Sequence, residues 1–540
     1  KEQWRRELWE KFYESFKVVE RLDFKSGDNP WERYSQVITS IDFAKQEDIL
    51  KTLENVSWDL VVVDEAHKMS AYIYGKKKKE TGRYKLGKVL SKNSNHLLFL
   101  TATPHKGDPE NFKLLMDLLV PGFFPDYESL INFLRDRDSS LFIRRLKEDL
   151  RDFDGRPLFT KRYPITVKFT LEDKEWRLYS DLTYYVYNIY RRIGEEYPRR
   201  RNIAFALTIL QRRMASSTYA LLQSLKRRKK RLEEVLKKGR CPTYWEIEDL
   251  DVLEEDIEDE EERWKKEEKW EALTVAEDIG ELKEEIGTLE ELIRLCEEIL
   301  EEEKETKLKE LKRTITRIFE EGGDGRPKIL IFTEAKDTLE YLVNKLKGWG
   351  YKVTYIHGGM KMEERIEKVK EFQGESEIMV ATEAAGEGIN LQFCNIMINY
   401  DIPWNPNRLE QRMGRIHRYG QRKDVYIFNF VAANTQEGKV LAKLLEKLEE
   451  IRKILGRDRV FDVIGEILAH EKIDLPELIL EAVLEGKRAE KEIERLECNE
   501  GIKKVVCGDI VSKPPDIQEI KEMMEKAREK LDVEDIERFF

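Results

Sequence analysis

The sequence predicts an α/β protein with two parallel-sheet domains, a large helical insertion and a helical C-terminal extension. Three observations carry this. Short apolar runs rich in β-branched residues, each ending in polar residues, recur at 58–67, 96–104 and 328–382, the pattern of strands buried in parallel sheets. From Lys328 onward such runs alternate with amphipathic stretches, which implies a doubly wound sheet. From about Leu171 to Glu321 glycine becomes scarce and apolar residues fall three or four apart, as in long helices. Domain boundaries are drawn at 1–165, 166–325, 326–440 and 441–540.

At 540 residues the chain is long enough for several cores. Apolar residues make up 40% and charged residues 38%, with a formal charge of −11. That argues against a uniformly basic nucleic-acid coat and leaves room for a local basic groove. Five cysteines stand without a C-x-x-C pair, so neither a disulfide framework nor a zinc site is expected, and a reducing cytoplasm fits. No run is long and apolar enough to span a bilayer, and the N-terminus is not a signal peptide. The chain opens at Lys1 already in helical rhythm, which reads as a piece whose first segment is missing.

Val37 to Phe43 reads as a short strand bearing two hydroxyls, Thr39 and Ser40. They either cap the following helix or bond a nucleic-acid phosphate. Trp58 to Asp64 is a buried strand, and Asp64 and Glu65 stand where it ends. Ligands of open α/β sheets bind beyond the carboxyl ends of strands. An Asp there holds Mg²⁺ on a nucleotide and a neighbouring Glu positions or deprotonates water, or both are simply solvated acids. Gly82 to Lys88 fits G-x-x-x-x-G-K. Val89 stands where Ser or Thr should meet Mg²⁺ and no strand precedes, so this reads as a helix start. His96 to Leu100 is a second buried strand, running into Thr101-Ala102-Thr103-Pro104. Those hydroxyls either relay the nucleotide's state or merely close the turn. Leu141 to Asp149 reads as a surface helix.

In the helical stretch, Leu282, Ile286, Leu289, Ile293 and Cys296 form one buried stripe. Basic clusters at 199–201, 212–213 and 226–231 either touch nucleic acid or pair with an acidic block, Glu246 to Glu262. Gly322 to Pro327 marks a break. Strands follow at Lys328–Thr333, Tyr351–Ile356 and Ile378–Thr382, with helices at Asp337–Lys347 and Lys361–Phe372. A glycine-bearing turn, Glu383 to Asn390, permits close backbone approach to a ligand. An apolar strand then leads to Asn405–Gln421, of helical composition, in which Arg408, Arg412, Arg415 and Arg418 would crowd one face. Like charges at that spacing repel unless an anion such as phosphate lies opposite.

D-E-A-H at 64–67, T-A-T-P at 101–104, A-A-G-E-G-I-N-L-Q at 384–392 and Q-R-M-G-R-I-H-R-Y-G-Q at 411–421 occur in the order of superfamily 2 helicase motifs. The last string, with L-F-I-R-R-L-K-E-D at 141–149, resembles the Swi/Snf branch of DNA-translocating ATPases. R-V-F-D-V-I-G-E-I-L at 459–468 resembles prokaryotic members, the RNA-polymerase-associated and phage-defence groups. The resemblance implies two RecA-like domains, the first truncated at its N-terminus, and ATP and Mg²⁺ as cofactors. It implies that Asp64 holds Mg²⁺, Glu65 activates water, and His67 completes the nucleotide motif. Thr101 and Thr103 would couple nucleotide to motion, while Thr39 and Ser40 would contact a nucleic-acid strand. Gly386, Glu387, Gly388 and Asn390 would face nucleotide and DNA. Gln411 opens the motif in which Arg415 and Arg418 are the arginine fingers. The family's phosphate-binding loop precedes the Q-W-R-R-E-L stretch and has no counterpart here, so ATP binding by these residues alone is expected to be weak. Double-stranded DNA is the implied partner. The alternatives are a scaffold that docks RNA polymerase or a defence complex through its helices, and a strand-separating helicase.

Overall fold

The computed structural model describes all residues except 27–28, 70–71, 75–76, 102–108, 136–140, 144–146, 153, 193–199, 239–259, 272–278, 323–325, 384–388, 390, 486–488 and 508–540. The chain forms two compact units, one centred on Lys1–Leu146 and the other on Lys147–Ile464.

In the first unit β1 (Lys17–Val18) pairs in parallel with β2 (Val37–Ile38), and β4 (Tyr72–Tyr74) pairs antiparallel with β5 (Lys77–Lys79). The longest pairing is β3 (Trp58–Asp64) with β6 (Ser94–Leu100), also parallel, which sets Asp64 beside Leu100. Helices α1 (Glu2–Phe12), α2 (Pro30–Arg33), α3 (Ile41–Ala44), α4 (Glu47–Leu53), α5 (Gly82–Asn93), α6 (Pro109–Leu119) and α7 (Tyr127–Arg135) belong to it, as does Gly465–Lys472. The two long strands are not buried on both faces as the sequence suggested. Val61, Val63, Leu97 and Phe99 pack into the core, while Leu60, Val62 and Leu98 are 57%, 43% and 47% exposed. With helices packed against one face only, side chains at period two divide between core and surface. Gly82–Lys88 begins α5, capped by the Thr81 hydroxyl, as its context predicted. A Cβ on Gly87 would stand 2.6 Å from Leu118, so this glycine serves helix packing.

The second unit is built on a six-stranded sheet. Its strands are β7 (Arg162–Phe169), β8 (Ile329–Phe332), β9 (Val353–Ile356), β10 (Ile378–Ala381), β11 (Ile396–Asn399) and β12 (Val425–Ala432), in the order β7-β12-β11-β8-β10-β9 and all parallel. Strands β8 and β10 are buried along their whole length, which is why they read as unbroken apolar runs. The boundary drawn at residue 165 falls inside β7. Eight residues of β7 pair with β12, so Arg162–Ile165 lie in this sheet; isolated from its partner strand, β7 carries no sign of its sheet. Register aligns the ends of β8, β9, β10 and β11, so the residues that follow them lie side by side.

The insertion comprises α8 (Asp173–Arg192), α9 (Arg200–Ser216), α10 (Thr218–Lys238), α11 (Glu260–Glu271) and α12 (Ile279–Glu301). Leu282, Leu289 and Cys296 are buried in its core, with Ile286 and Ile293 packed beside them, as the stripe predicted. Each fully buried leucine contributes about 1.5–3 kcal/mol. Basic residues of α10 pair with acids; the 246–259 part of the acidic block lies outside the described residues. Arg227 meets Asp337, Arg228 meets Glu285 and Lys226 meets Glu297. Helix α13 (Thr306–Glu321) packs on the sheet with α14 (Lys336–Gly348). Helices α15 (Met362–Gln373), α16 (Pro406–Ile416) and α17 (Gln436–Leu455) follow, then α18 (Ile464–His470), α19 (Leu475–Glu485), α20 (Glu490–Glu494) and α21 (Glu500–Cys507). Among the described residues no helix is long and apolar enough to cross a membrane.

Candidate nucleotide and nucleic-acid site

In the first unit the chain leaves β3 through a tight turn. Glu65 has φ +53°, a left-handed conformation that costs a non-glycine residue on the order of 1 kcal/mol and gathers at functional sites. Its N–H donates to Asp64 Oδ1 at 3.0 Å, and Trp4 Nε1 donates to Asp64 Oδ2 at 2.9 Å. Both carboxylates remain exposed at the strand end. His67 turns inward and is 9% exposed. Its Nδ1 lies 2.9 Å from the Thr101 hydroxyl and 3.4 Å from Glu65 Oε2. One imidazole therefore stands between Glu65, after β3, and the Thr101 hydroxyl, after β6. Exposed carboxylates in this number suit Mg²⁺, which takes one or two with water and substrate phosphates rather than a closed cage.

In the second unit three acids follow three adjacent strands: Glu334 after β8, Glu383 after β10 and Asp401 after β11. Arg412 of α16 is 1% exposed and reaches the last two. Its Nε and Nη2 donate to Glu383 Oε1 at 2.8 and 2.6 Å, and its Nη1 donates to the Asp401 carbonyl at 2.7 Å. Asp401 Oδ2 accepts from the Thr333 and Ser216 hydroxyls, both at 2.6 Å, and Oδ1 accepts from the Glu334 N–H at 2.9 Å. Glu334 lies 3.4 Å from both Arg212 and Arg408. Burial pushes the Glu334 carboxyl up, but Arg212, Arg408 and Arg412 outweigh it and hold it at about 2.

Two expectations for the arginine stretch change. The helix ends at Ile416, so Arg418 lies beyond it. The anions facing Arg408 and Arg412 are the protein's own carboxylates rather than a phosphate, because Glu334 and Glu383 stand at the strand ends beside α16. Arg415, in the last turn, and Arg418 are half-buried, and Gln411 is exposed. Ser40 caps α3 by accepting from the Phe43 N–H at 3.2 Å, and the Thr39 hydroxyl donates to the Val19 carbonyl at 3.4 Å. Thr103, Gly386, Glu387, Gly388 and Asn390 lie outside the described residues. Sequence reasoning missed the role of Glu334, Glu383 and Asp401. An acid directly after each of three apolar runs was the available signal.

His417, just past α16, is buried with Nε2 2.9 Å from the Thr160 carbonyl. A carbonyl only accepts, so Nε2 carries the proton. Burial, with Arg162 nearby, pushes the imidazole down to about 4. The unfolded chain then takes up a proton near pH 6.5 and the folded chain does not. The expected outcome is a His417 contribution fully present above pH 6.5 and lost as pH falls to 4, by at most roughly 3 kcal/mol. Urea unfolding at pH 7 and pH 5 checks it: His417→Gln should flatten that segment of the profile, and an unchanged slope refutes it.

Two parallel-sheet units, one ending a strand in Asp-Glu-Ala-His with its histidine against the Thr101 hydroxyl, the other backing an arginine helix with strand-end acids, define the helicase class of ATPases. Residues 2–233 match the SNF2-related domain and residues 306–420 the helicase conserved C-terminal domain. The chain is 30% identical over 462 residues to the uncharacterized ATP-dependent helicase YqhH of Bacillus subtilis, covering 84% of this chain and 69% of that protein. It is 23% identical to the RNA polymerase-associated protein RapA of Vibrio atlanticus over 91% of this chain, and spans about half (49%) of RapA's length. It is 32% identical to the ATP-dependent DNA helicase DDM1 of Arabidopsis thaliana over 28% of this chain and 20% of that protein. The chain belongs to the SNF2-related family of ATP-dependent helicases.

Proposed function

We propose that the whole protein is an ATP-dependent translocase on double-stranded DNA, without obligatory strand separation. The observation that carries this is the 2.9 Å contact between His67 and Thr101. It couples the acids that would handle Mg²⁺ and water to the hydroxyl turn that would transmit the nucleotide's state. Mg²⁺, when bound, neutralises charge on the phosphates. Asp64 presents the carboxylate that holds it, and the strained turn aims Glu65 at the attacking water. Arg415 and Arg418 supply positive charge to the transferring phosphoryl group. Thr39, Ser40 and the 386–390 turn belong to the nucleic-acid side of this reading. DNA as the track is supported by the Swi/Snf-type motif at 411–421 and by the DNA-helicase relative.

Duplex DNA should stimulate ATP hydrolysis by the whole protein, and displacement of a triplex-forming strand without duplex unwinding should accompany it. Unwinding of plain duplex would favour the strand-separating alternative. Similarity to RapA along 91% of this chain supports a second partner, RNA polymerase, docked through the helices. Tight polymerase binding with no DNA-stimulated hydrolysis would favour that reading. Glu65→Gln should lower turnover by about 10²–10⁴-fold, the usual worth of a general base, with nucleotide affinity retained. Steady-state turnover beside equilibrium nucleotide binding checks this, and undiminished turnover removes the role given to Glu65.

A further inference from the structure

The carboxyl ends of β9 and β10 are occupied by α11. Glu260, its first residue, is 7% exposed. Its carboxylate accepts from the Thr382 hydroxyl at 2.8 Å and from the Glu383 N–H at 3.1 Å. Arg263 lies 3.6 Å away. Gly358, after β9, lets the Glu260 side chain in close, since a Cβ there would stand 2.7 Å from Glu260 Oε2. One turn along α11, Trp264 faces His357 with ring centroids 6.2 Å apart. Buried Glu267 then pairs with Arg213 at 2.6 Å. This is a seated helix: two buried carboxylates and an aromatic ring fill the region beyond the strand ends.

A backbone N–H and a hydroxyl, reached closely past a glycine at the end of a parallel strand, are donors that bind phosphate oxygens as well as they bind a carboxylate. Burying Glu260 costs several kcal/mol unless its charge is paired and hydrogen-bonded, so the surroundings of β10 are built to receive an anion. In sequence Glu260 belongs to a block with 12 acids among the 17 residues from Glu246 to Glu262.

We propose that α11 is an internal mimic of the nucleic-acid backbone: Glu260 occupies the Thr382–Glu383 position, and α11 must leave before a phosphodiester is bound there. This rests on the DNA reading above. The competition is electrostatic, so it weakens when the Glu260 charge is removed. It also depends on a movement, so it strengthens when α11 is tethered.

Binding of a fluorescent DNA duplex by the 540-residue chain tests both. Glu260→Gln keeps the shape and removes the charge, and is expected to tighten binding about tenfold. Paired cysteines, Glu260→Cys with Gly358→Cys, would start with their Cβ atoms 2.8 Å apart, and a shift of about 1 Å opens them to disulfide geometry. The oxidised form should bind at least tenfold more weakly than the same preparation after reduction, with the unsubstituted chain treated identically as control. Equal binding by the oxidised and reduced forms overturns the proposal and leaves the DNA reading intact. Failure of the disulfide to form overturns the seating of α11. Absence of duplex binding by every form at low salt overturns the DNA reading, and the proposal with it.

Discussion

Replacement of Arg415 by alanine is expected to lower ATP turnover of the whole protein by about 10³–10⁵-fold, the worth of an arginine finger in phosphoryl transfer. Stability should change by no more than about 1 kcal/mol. The two halves of this expectation have separate grounds. Arg415 sits in the last turn of α16 with its side chain half-buried, so its loss opens no large cavity. The role proposed for it rests on its place in the 411–421 motif, which resembles the family's arginine-finger motif. Arg418, past the helix end, should behave the same way. Arg415→Lys should remain well below the unsubstituted protein, since an ammonium lacks the planar fork that meets two oxygens at once. Turnover measured beside urea unfolding decides the matter. Turnover within tenfold of the unsubstituted protein for both alanine variants would reassign the motif to structure.

Legibility differed between the two sheets for a physical reason. Strands β8 and β10 are buried on both faces, so every residue is apolar and the parallel sheet is read directly. Strands β3 and β6 present the same composition, yet Leu60, Val62 and Leu98 face outward. Composition records what a strand tolerates, and packing decides which face is covered. Strand β7 is far from its partner in sequence, with Arg162 paired to Val425, and its separation hides it. The acids proposed for catalysis stand out in the sequence because D-E-A-H follows a strand, and the structure adds the His67–Thr101 contact between the two motifs. In the stretch at Asn405–Gln421, spacing alone sets four arginines on one face, and only the family resemblance singles out Arg415 and Arg418. Helical periodicity gives their spacing but not their counterions. These come from residues 334, 383 and 401, brought to α16 only by the register of three strands.

Those counterions give Arg412 an expected result opposite to that of Arg415. Arg412→Ala should cost about 3–5 kcal/mol of stability, the penalty for breaking a buried ion pair from one side. The deletion would leave Glu383 Oε1 without the two N–H donors now at 2.8 and 2.6 Å, and the Asp401 carbonyl without its donor at 2.7 Å. Asp401 itself would keep Thr333, Ser216 and the Glu334 N–H, so the uncompensated charge would fall mainly on Glu383. That distinction makes the prediction sharper than a loss of stability alone. If stranded charge is the cause, adding Glu383→Gln to Arg412→Met should recover part of the loss, because a neutral amide is cheaper to bury than an unpaired carboxylate. If the cause is lost packing of the guanidinium over Phe332, 5.3 Å from its ring centroid, the second substitution should recover nothing while Arg412→Met alone is mild. A double-mutant cycle by urea unfolding separates the two. A loss below about 1 kcal/mol for Arg412→Ala would contradict both, because a surface ion pair is worth no more than that.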